Sequence, residues 1–482
     1  MFALFYWDEV PAFMTSSKAT TEPERKKAPK SEFRRMTDLA APIVLTQLAW
    51  VAMLTTDTAM IGRLGADALA GASLSLMVFF LTWVFCFGVV TATAALASQA
   101  YGARDPRTVR RVIRQGLWVA LLITTPALAL FQLTPALLIW TGQPAETLPH
   151  ADAYMSTLMW CLAPSIGFTV IRNFVSAVNR PGPALWVMLA GVPLNAFLDY
   201  ALIFGNFGLP RLELVGAGIA TSLVNWLMFL CLLATAVWCK PFSKYAVLGR
   251  FWRPDWFQFR RIFKIGLPIA GMSLLEAGFF IGAIFIVGQF GAIAIAATMI
   301  ALQMPHITFM IPMGLGQAAT VRVGQEVGRR NAAAAYRAGW YALALTLGFM
   351  SLMTVVVFAI PQTFSSIYLD ATQPDSEEVL TLAAYYLLFA AFFQVADGIQ
   401  AVAAGALRGL NDTAIPMCIA AFSYWGVGLS TGLILAFWGG FEAAGLWMGF
   451  VAGLVCAAVL LTARFRSLEK RCFLPDVPLS EE

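Results

Sequence analysis

Charge is scarce in this chain. Of its 482 residues only 12% are Asp, Glu, Lys or Arg, against the roughly 25% usual in soluble domains. A water-soluble fold of this length needs a charged surface. The deficit excludes a soluble globular enzyme. With 59% apolar residues the chain is not disordered either. Two histidines exclude a histidine-rich metal site. The seven cysteines, Cys86, Cys161, Cys231, Cys239, Cys418, Cys456 and Cys472, fall in apolar runs or beside basic loops, so no disulfide framework is implied. No Gly-rich phosphate loop, HExxH or CxxC occurs. Nothing therefore reads as an ATP site or a cofactor site. The net charge of +5 reports orientation in a membrane, not a nucleic-acid partner.

What the chain has is long apolar runs. A transmembrane helix takes about 20 apolar residues. Such runs fall at 39–62, 70–97, 115–138, 153–176, 184–206 and 214–238, and again at 263–288, 294–320, 338–360, 380–406, 415–438 and 443–464. The fold class expected is an all-α integral membrane protein with twelve transmembrane helices. Of the 32 Lys and Arg, all except Arg63 and Arg211 fall in, or at the helix ends beside, the loops of one side. The opposite loops 139–152 and 361–379 carry Glu146, Asp152, Asp370, Asp375, Glu377 and Glu378 but no Lys or Arg. The positive-inside rule then puts both termini in the cytoplasm. The expected location is the plasma membrane, the inner one in a Gram-negative cell. Residues 1–38 read as a basic cytoplasmic tail whose apolar start is too short for a signal peptide.

The two halves repeat. Shifting 39–105 by 226 positions, without a gap, lays Pro42 on Pro268, Gly62 on Gly288, Gly65 on Gly291, Gly88 on Gly314, Gln99 on Gln325 and Gly102 on Gly328. Six spans per half insert in the same sense, which gives two six-helix lobes related by a pseudo-twofold axis along the membrane normal. Secondary transporters are built this way, with the substrate between the repeats. The expected organisation is a tail 1–38, an N-lobe 39–238, a linker 239–262, a C-lobe 263–465 and a tail 466–482.

Four acids lie well inside the spans: Asp57, Asp199, Glu276 and Asp397. No Lys or Arg is expected at comparable depth. A charge at the bilayer centre costs at least about 2.5–3.5 kcal/mol, so these acids must hold a proton, bind a cation, or alternate between the two. They also break the repeat, since Asp57 aligns with Ala283 and Glu276 with Trp50. Asn195 and Asp199 share a helix face, being four apart. Whether Glu276 and Asp397 meet is a tertiary matter. Pro42, Pro268, Pro193, Pro305 and Pro312 lie in or near span ends, where a freed carbonyl permits a hinge or a static kink. His306 is either a proton or substrate group or a packing histidine. Some of Trp50, Trp83, Trp160 and Phe393 are candidates to line a cavity for flat cations.

Taken in order and spacing, Leu39–Leu64, Ser98–Asp105 (SQAYGARD), Pro193–Phe204, Leu267–Phe280, Phe393–Gly405 and Leu407–Thr413 (LRGLNDT) resemble the multidrug and toxic compound extrusion (MATE) transporters, most of all their NorM-type branch. The resemblance covers about 39–465. It implies export of organic cations and other toxic compounds in exchange for H⁺ or Na⁺. It implies a C-lobe cation site at Glu276 and Asp397 and an N-lobe acid site at Asp57, Asn195, Asp199 and Thr221. Relatives often carry a tyrosine where this chain has Phe393. A bare Na⁺ needs several oxygens, so a Na⁺ site at Glu276 and Asp397 loses one ligand and the balance tilts toward H⁺. The expected partners are cationic amphipathic small molecules and the bilayer, with no cofactor and a monomeric carrier. The rival reading is an exporter or flippase of a metabolite or lipid-linked substrate.

Overall fold

The computed structural model describes residues 32–143, 146–359 and 376–476. Most of the expected tail 1–38 and of the acidic loop 361–379 lies outside the described residues. Twelve helices are long and apolar enough to cross a membrane: α1 Glu32–Gly62, α2 Ala66–Gly102, α3 Pro106–Gln132, α4 Leu148–Ala177, α5 Gly182–Phe204, α6 Glu213–Trp238, α7 Trp256–Phe290, α8 Ala292–Gly328, α9 Ala332–Ala359, α10 Glu377–Gly409, α11 Ala414–Trp438 and α12 Glu442–Lys470. In lipid every backbone group must be satisfied within its own segment, and helices do this. Among the described residues there is no strand.

Local chemistry sets the helix ends. Asp105 accepts from the backbone N–H of Arg107 and Thr108, each at 3.0 Å, and Pro106 follows at the first turn of α3. Asp255 accepts from Gln258 N–H at 3.1 Å and starts α7. Both α1 and α7 begin before the apolar runs do, because charged residues near their starts, Glu32, Arg34 and Arg35 in α1 and Arg260 and Arg261 in α7, interrupt the hydropathy. The segment between the halves folds back on α3. Arg114 Nη1 donates to the Arg250 carbonyl at 2.9 Å, and the Trp118 indole N–H donates to the Phe251 carbonyl at 3.1 Å. Within α11 the stretches Phe422–Leu429 and Ile434–Trp438 are wound more loosely, with π-helical hydrogen bonding, a rare winding frequent at functional sites.

The buried side chains form two main cores, and the first helix of each half contributes to both. Met36, Leu39, Ala40 and Ile43 of α1 pack into the core of the second half. Ala49 and Met53, beyond Pro42, pack into that of the first. The exchange is reciprocal. Ile262, Ile265 and Ile269 of α7 belong to the first half's core, and Met272, Phe279 and Ala283, beyond Pro268, to the second's. Each pair of counterparts (Met36 and Ile262, Leu39 and Ile265, Ile43 and Ile269) obeys the 226-residue repeat. Small residues make the crossings possible. A Cβ on Gly88 would meet the Ala270 Cα at 2.5 Å, and one on Gly314 the Val44 Cα at 2.9 Å. At the end carrying the basic loops, α2 and α8 cross in backbone contact through Gly102 and Gly328. The fold is the expected two-lobed, pseudo-twofold bundle, closed at that end.

Candidate functional site

In the first half α1, α5 and α6 bring the predicted acid set together. Asn195 and Asp199 sit one turn apart on α5, and both are fully buried. The Asn195 amide donates to Asp199 Oδ2 at 2.7 Å and also to Asp57 Oδ1. Thr221 of α6 donates its hydroxyl to Asp57 Oδ2 at 3.2 Å. Two carboxylates thus share one amide, while Asp199 Oδ1 and Asn195 Oδ1 have no donor.

The second half brings Glu276 of α7 and Asp397 of α10 together through a residue that the sequence reading missed. Gln400 donates to Glu276 Oε1 at 2.7 Å and to Asp397 Oδ1 at 3.1 Å. Its own carbonyl accepts from the Tyr424 hydroxyl at 2.7 Å, and Tyr424 lies in the loosely wound stretch of α11. Gln400 is three residues from Asp397 and so on the same helix face, a signal that was available. Tyr424 had none. Phe393 is buried among Phe280, Trp447 and Phe450, so its position offers the acids no oxygen.

Between the halves lies a cavity in two chambers of about 740 and 420 Å³. Trp50, Phe80, Trp83, Asn225 and His306 line both. The larger reaches Thr58, Ser73 and Gly288, near the helix ends remote from the basic loops, and touches Asp57 and Thr221. The smaller holds Glu276, Asp397 and Phe393. Asn195 and Asp199 stand behind the wall. Trp50 and Trp83 stack at 5.4 Å, and Trp83 and Phe87 at 4.9 Å. Trp160 is 54% exposed and lines neither chamber. His306 faces the cavity, and Pro42 lies inside an unbroken α1, with Thr46 Oγ1 donating to its carbonyl at 2.7 Å.

One expectation is overturned. A basic residue does lie at depth: Arg172 of α4 is buried and lines the smaller chamber with Glu276 and Asp397. The sequence puts it near the basic end of its span, from where an arginine can reach the interface. Instead its side chain turns inward. None of the four acids forms an ion pair among the described residues.

Two lobes exchanging their first helices around an aromatic cavity walled by acids define a membrane carrier, not an enzyme. The chain belongs to the MatE family, whose model matches residues 42–201 and 268–434. A protein of Bradyrhizobium diazoefficiens named probable multidrug resistance protein NorM is 44% identical over 440 residues, covering 91% of this chain and 94% of its own. One of the same name in Rhodopseudomonas palustris is 44% identical over 449 residues, covering 93% and 94%. Among solved structures, a multidrug resistance MATE family transporter of the MOP superfamily in an outward-facing conformation superposes with a TM-score of 0.84 at 18% identity, covering 92% of this chain and 96% of that one.

Proposed function

We propose that this chain is a secondary active multidrug exporter. It expels amphipathic organic compounds, cations among them, in exchange for an inward-moving H⁺ or Na⁺. The observation that carries this reading is the smaller chamber, where Glu276 and Asp397 face the same space as Trp50 and Trp83. A flat apolar cation is held there by aromatic faces and by carboxylates. The coupling ion competes for the same carboxylates. When Glu276 or Asp397 takes the ion, the attraction for the substrate is lost and the substrate leaves. When the acids are bare again, the next substrate binds. Pro42 and Pro268, where α1 and α7 pass between cores, are the hinges of the exchange.

H⁺ is favoured over Na⁺. A proton needs one carboxylate, whereas Na⁺ needs several oxygens. The Gln400 carbonyl is already engaged by Tyr424, and Phe393 offers none. The basic loops face the cytoplasm, the termini with them, and the contact of α2 with α8 closes that side. The cavity then faces outward. One chain holds both lobes and acts as a monomer in the plasma membrane, the inner one in a Gram-negative cell. The flippase reading has one observation in its favour, Arg172, and one against it. Arg172 is the single Lys or Arg lining the two chambers, where a phosphorylated head group asks for several.

The experiment is ethidium efflux from proteoliposomes under separately imposed pH and Na⁺ gradients. Efflux driven by ΔpH alone is expected. Transport driven by ATP, or no transport under either gradient, overturns the proposal.

A further inference from the structure

Arg172 is not explained by competition between a cation and the acids. It is 6% exposed and lies five residues before the end of α4. A guanidinium at this depth is costly unless an anion meets it. No carboxylate pairs with it among the described residues. Its Nη1 donates to the Gln47 side-chain carbonyl at 3.2 Å, and its guanidinium carbon sits 5.9 Å from the centre of the Phe87 ring. These are weak partners for a buried cation. Arg172 Nε and Gln47 Nε2, both buried, have no acceptor. Two adjacent side chains on the cavity wall therefore carry donors and a positive charge and face a shortage of acceptors.

The surroundings give the missing acceptor a shape. Phe87 is the last ring of the stack Trp50, Trp83, Phe87, so the guanidinium stands at one end of a flat aromatic wall. Glu276 and Asp397 belong to the other lobe's side of the same chamber. The chamber is positive at one end, negative on the facing wall and aromatic between.

We propose that Arg172, with Gln47 beside it, is an anion seat within the substrate cavity. It receives the carboxylate, or a similar oxyanion, of an aromatic zwitterion whose cationic nitrogen lies toward Glu276 and Asp397. The proposal rests on the export reading above and names the residues that hold the anionic end of a doubly charged substrate.

The test uses two dyes that share one fluorophore. Rhodamine 110 carries a free carboxylate; rhodamine 123 is its methyl ester. Binding is read by fluorescence polarisation on the purified full-length protein, and transport in proteoliposomes. Arg172→Gln is expected to weaken rhodamine 110 about tenfold, the lower range for one charge-assisted hydrogen bond, and to leave rhodamine 123 unchanged. Arg172→Lys is expected to recover part of the loss. Gln47→Leu, which keeps the charge, should reproduce a smaller loss for rhodamine 110 alone. Equal weakening of both dyes, or no effect on rhodamine 110, overturns the proposal. So does movement of a fluorescent phosphatidylglycerol that depends on Arg172 while rhodamine 110 binding does not, since the seat would then serve a lipid. If the unaltered protein binds both dyes but exports neither under either gradient, the export reading fails, and the binding contrast still decides the seat.

Discussion

Gln99 and Gln325 hold the same place in the two repeats, and each closes over the other repeat's glycine. A Cβ on Gly102 would meet the Gln325 carbonyl oxygen at 2.0 Å, and one on Gly328 would meet that of Gln99 at 2.0 Å. Their amides cross over as well. Gln99 donates to the Gly409 carbonyl at 2.9 Å and Gln325 to the Ala177 carbonyl at 2.9 Å. The seal at the basic end is a symmetric clasp of four residues. Gly102→Val cannot form it without moving backbone, a strain of about 1–3 kcal/mol. The variant is expected to insert in the membrane, to lose most dye efflux, and to expose a cysteine placed at Gln325 to a membrane-impermeant thiol reagent added on the side of the basic loops. Full efflux from Gly102→Val means that the helices part here freely.

The two C-lobe acids are expected to be indispensable. Asp397→Asn and Glu276→Gln keep shape and volume while removing the charge. Each should abolish drug resistance in a sensitive host while membrane fractions still contain the protein. Full resistance in both variants would falsify the C-lobe assignment.

Gln400 ties these acids to α11, so its loss should be felt at a distance. Gln400→Leu strips a hydrogen bond from each acid and leaves the Tyr424 hydroxyl without its acceptor. Efflux should fall at least about tenfold, because buried polar groups left unpaired cost about 1–3 kcal/mol each. Tyr424→Phe removes one neutral hydrogen bond and should cost far less. If Tyr424→Phe proves the more damaging, the hydroxyl has a role beyond holding Gln400.

In the N-lobe set two carboxylates depend on one amide. Asn195→Leu removes the amide shared by Asp57 and Asp199 and sets two carboxylates face to face. Expression or thermal stability is expected to drop, and Asp57→Asn in the same chain should restore it. A stable Asn195→Leu protein with normal efflux would remove this cluster from the mechanism.

The proposed coupling to H⁺ sets a direction for pH. Acidifying the outside should speed export, and collapsing ΔpH with nigericin should stop it. Replacing Na⁺ by choline should change nothing. Efflux that survives nigericin but stops in choline reverses the assignment of the ion.

The twelve spans, the repeat and the four deep acids were legible because each leaves a mark along the chain: apolar length, recurring glycines, isolated charge. Asp57, Asn195, Asp199 and Thr221 were legible as a set through the family resemblance and, for Asn195 and Asp199, through helical spacing. Arg172 was misjudged because sequence distance from a helix end says nothing of where a long flexible side chain turns. Tyr424 and Gln47 gave no signal, since a lone tyrosine or glutamine in a span takes its meaning from the neighbour across the cavity. The exchange of α1 and α7 was hidden too, because hydropathy marks that a face is buried and not what buries it.

That exchange also orders events during synthesis. Val44 of α1 lies against Gly314 of α8, so this packing of the first span cannot form until the eighth has been made. Met36, Leu39 and Ile43 wait through six intervening spans. A half-length chain lacks the second-half surfaces that bury Met36, Leu39 and Ile43.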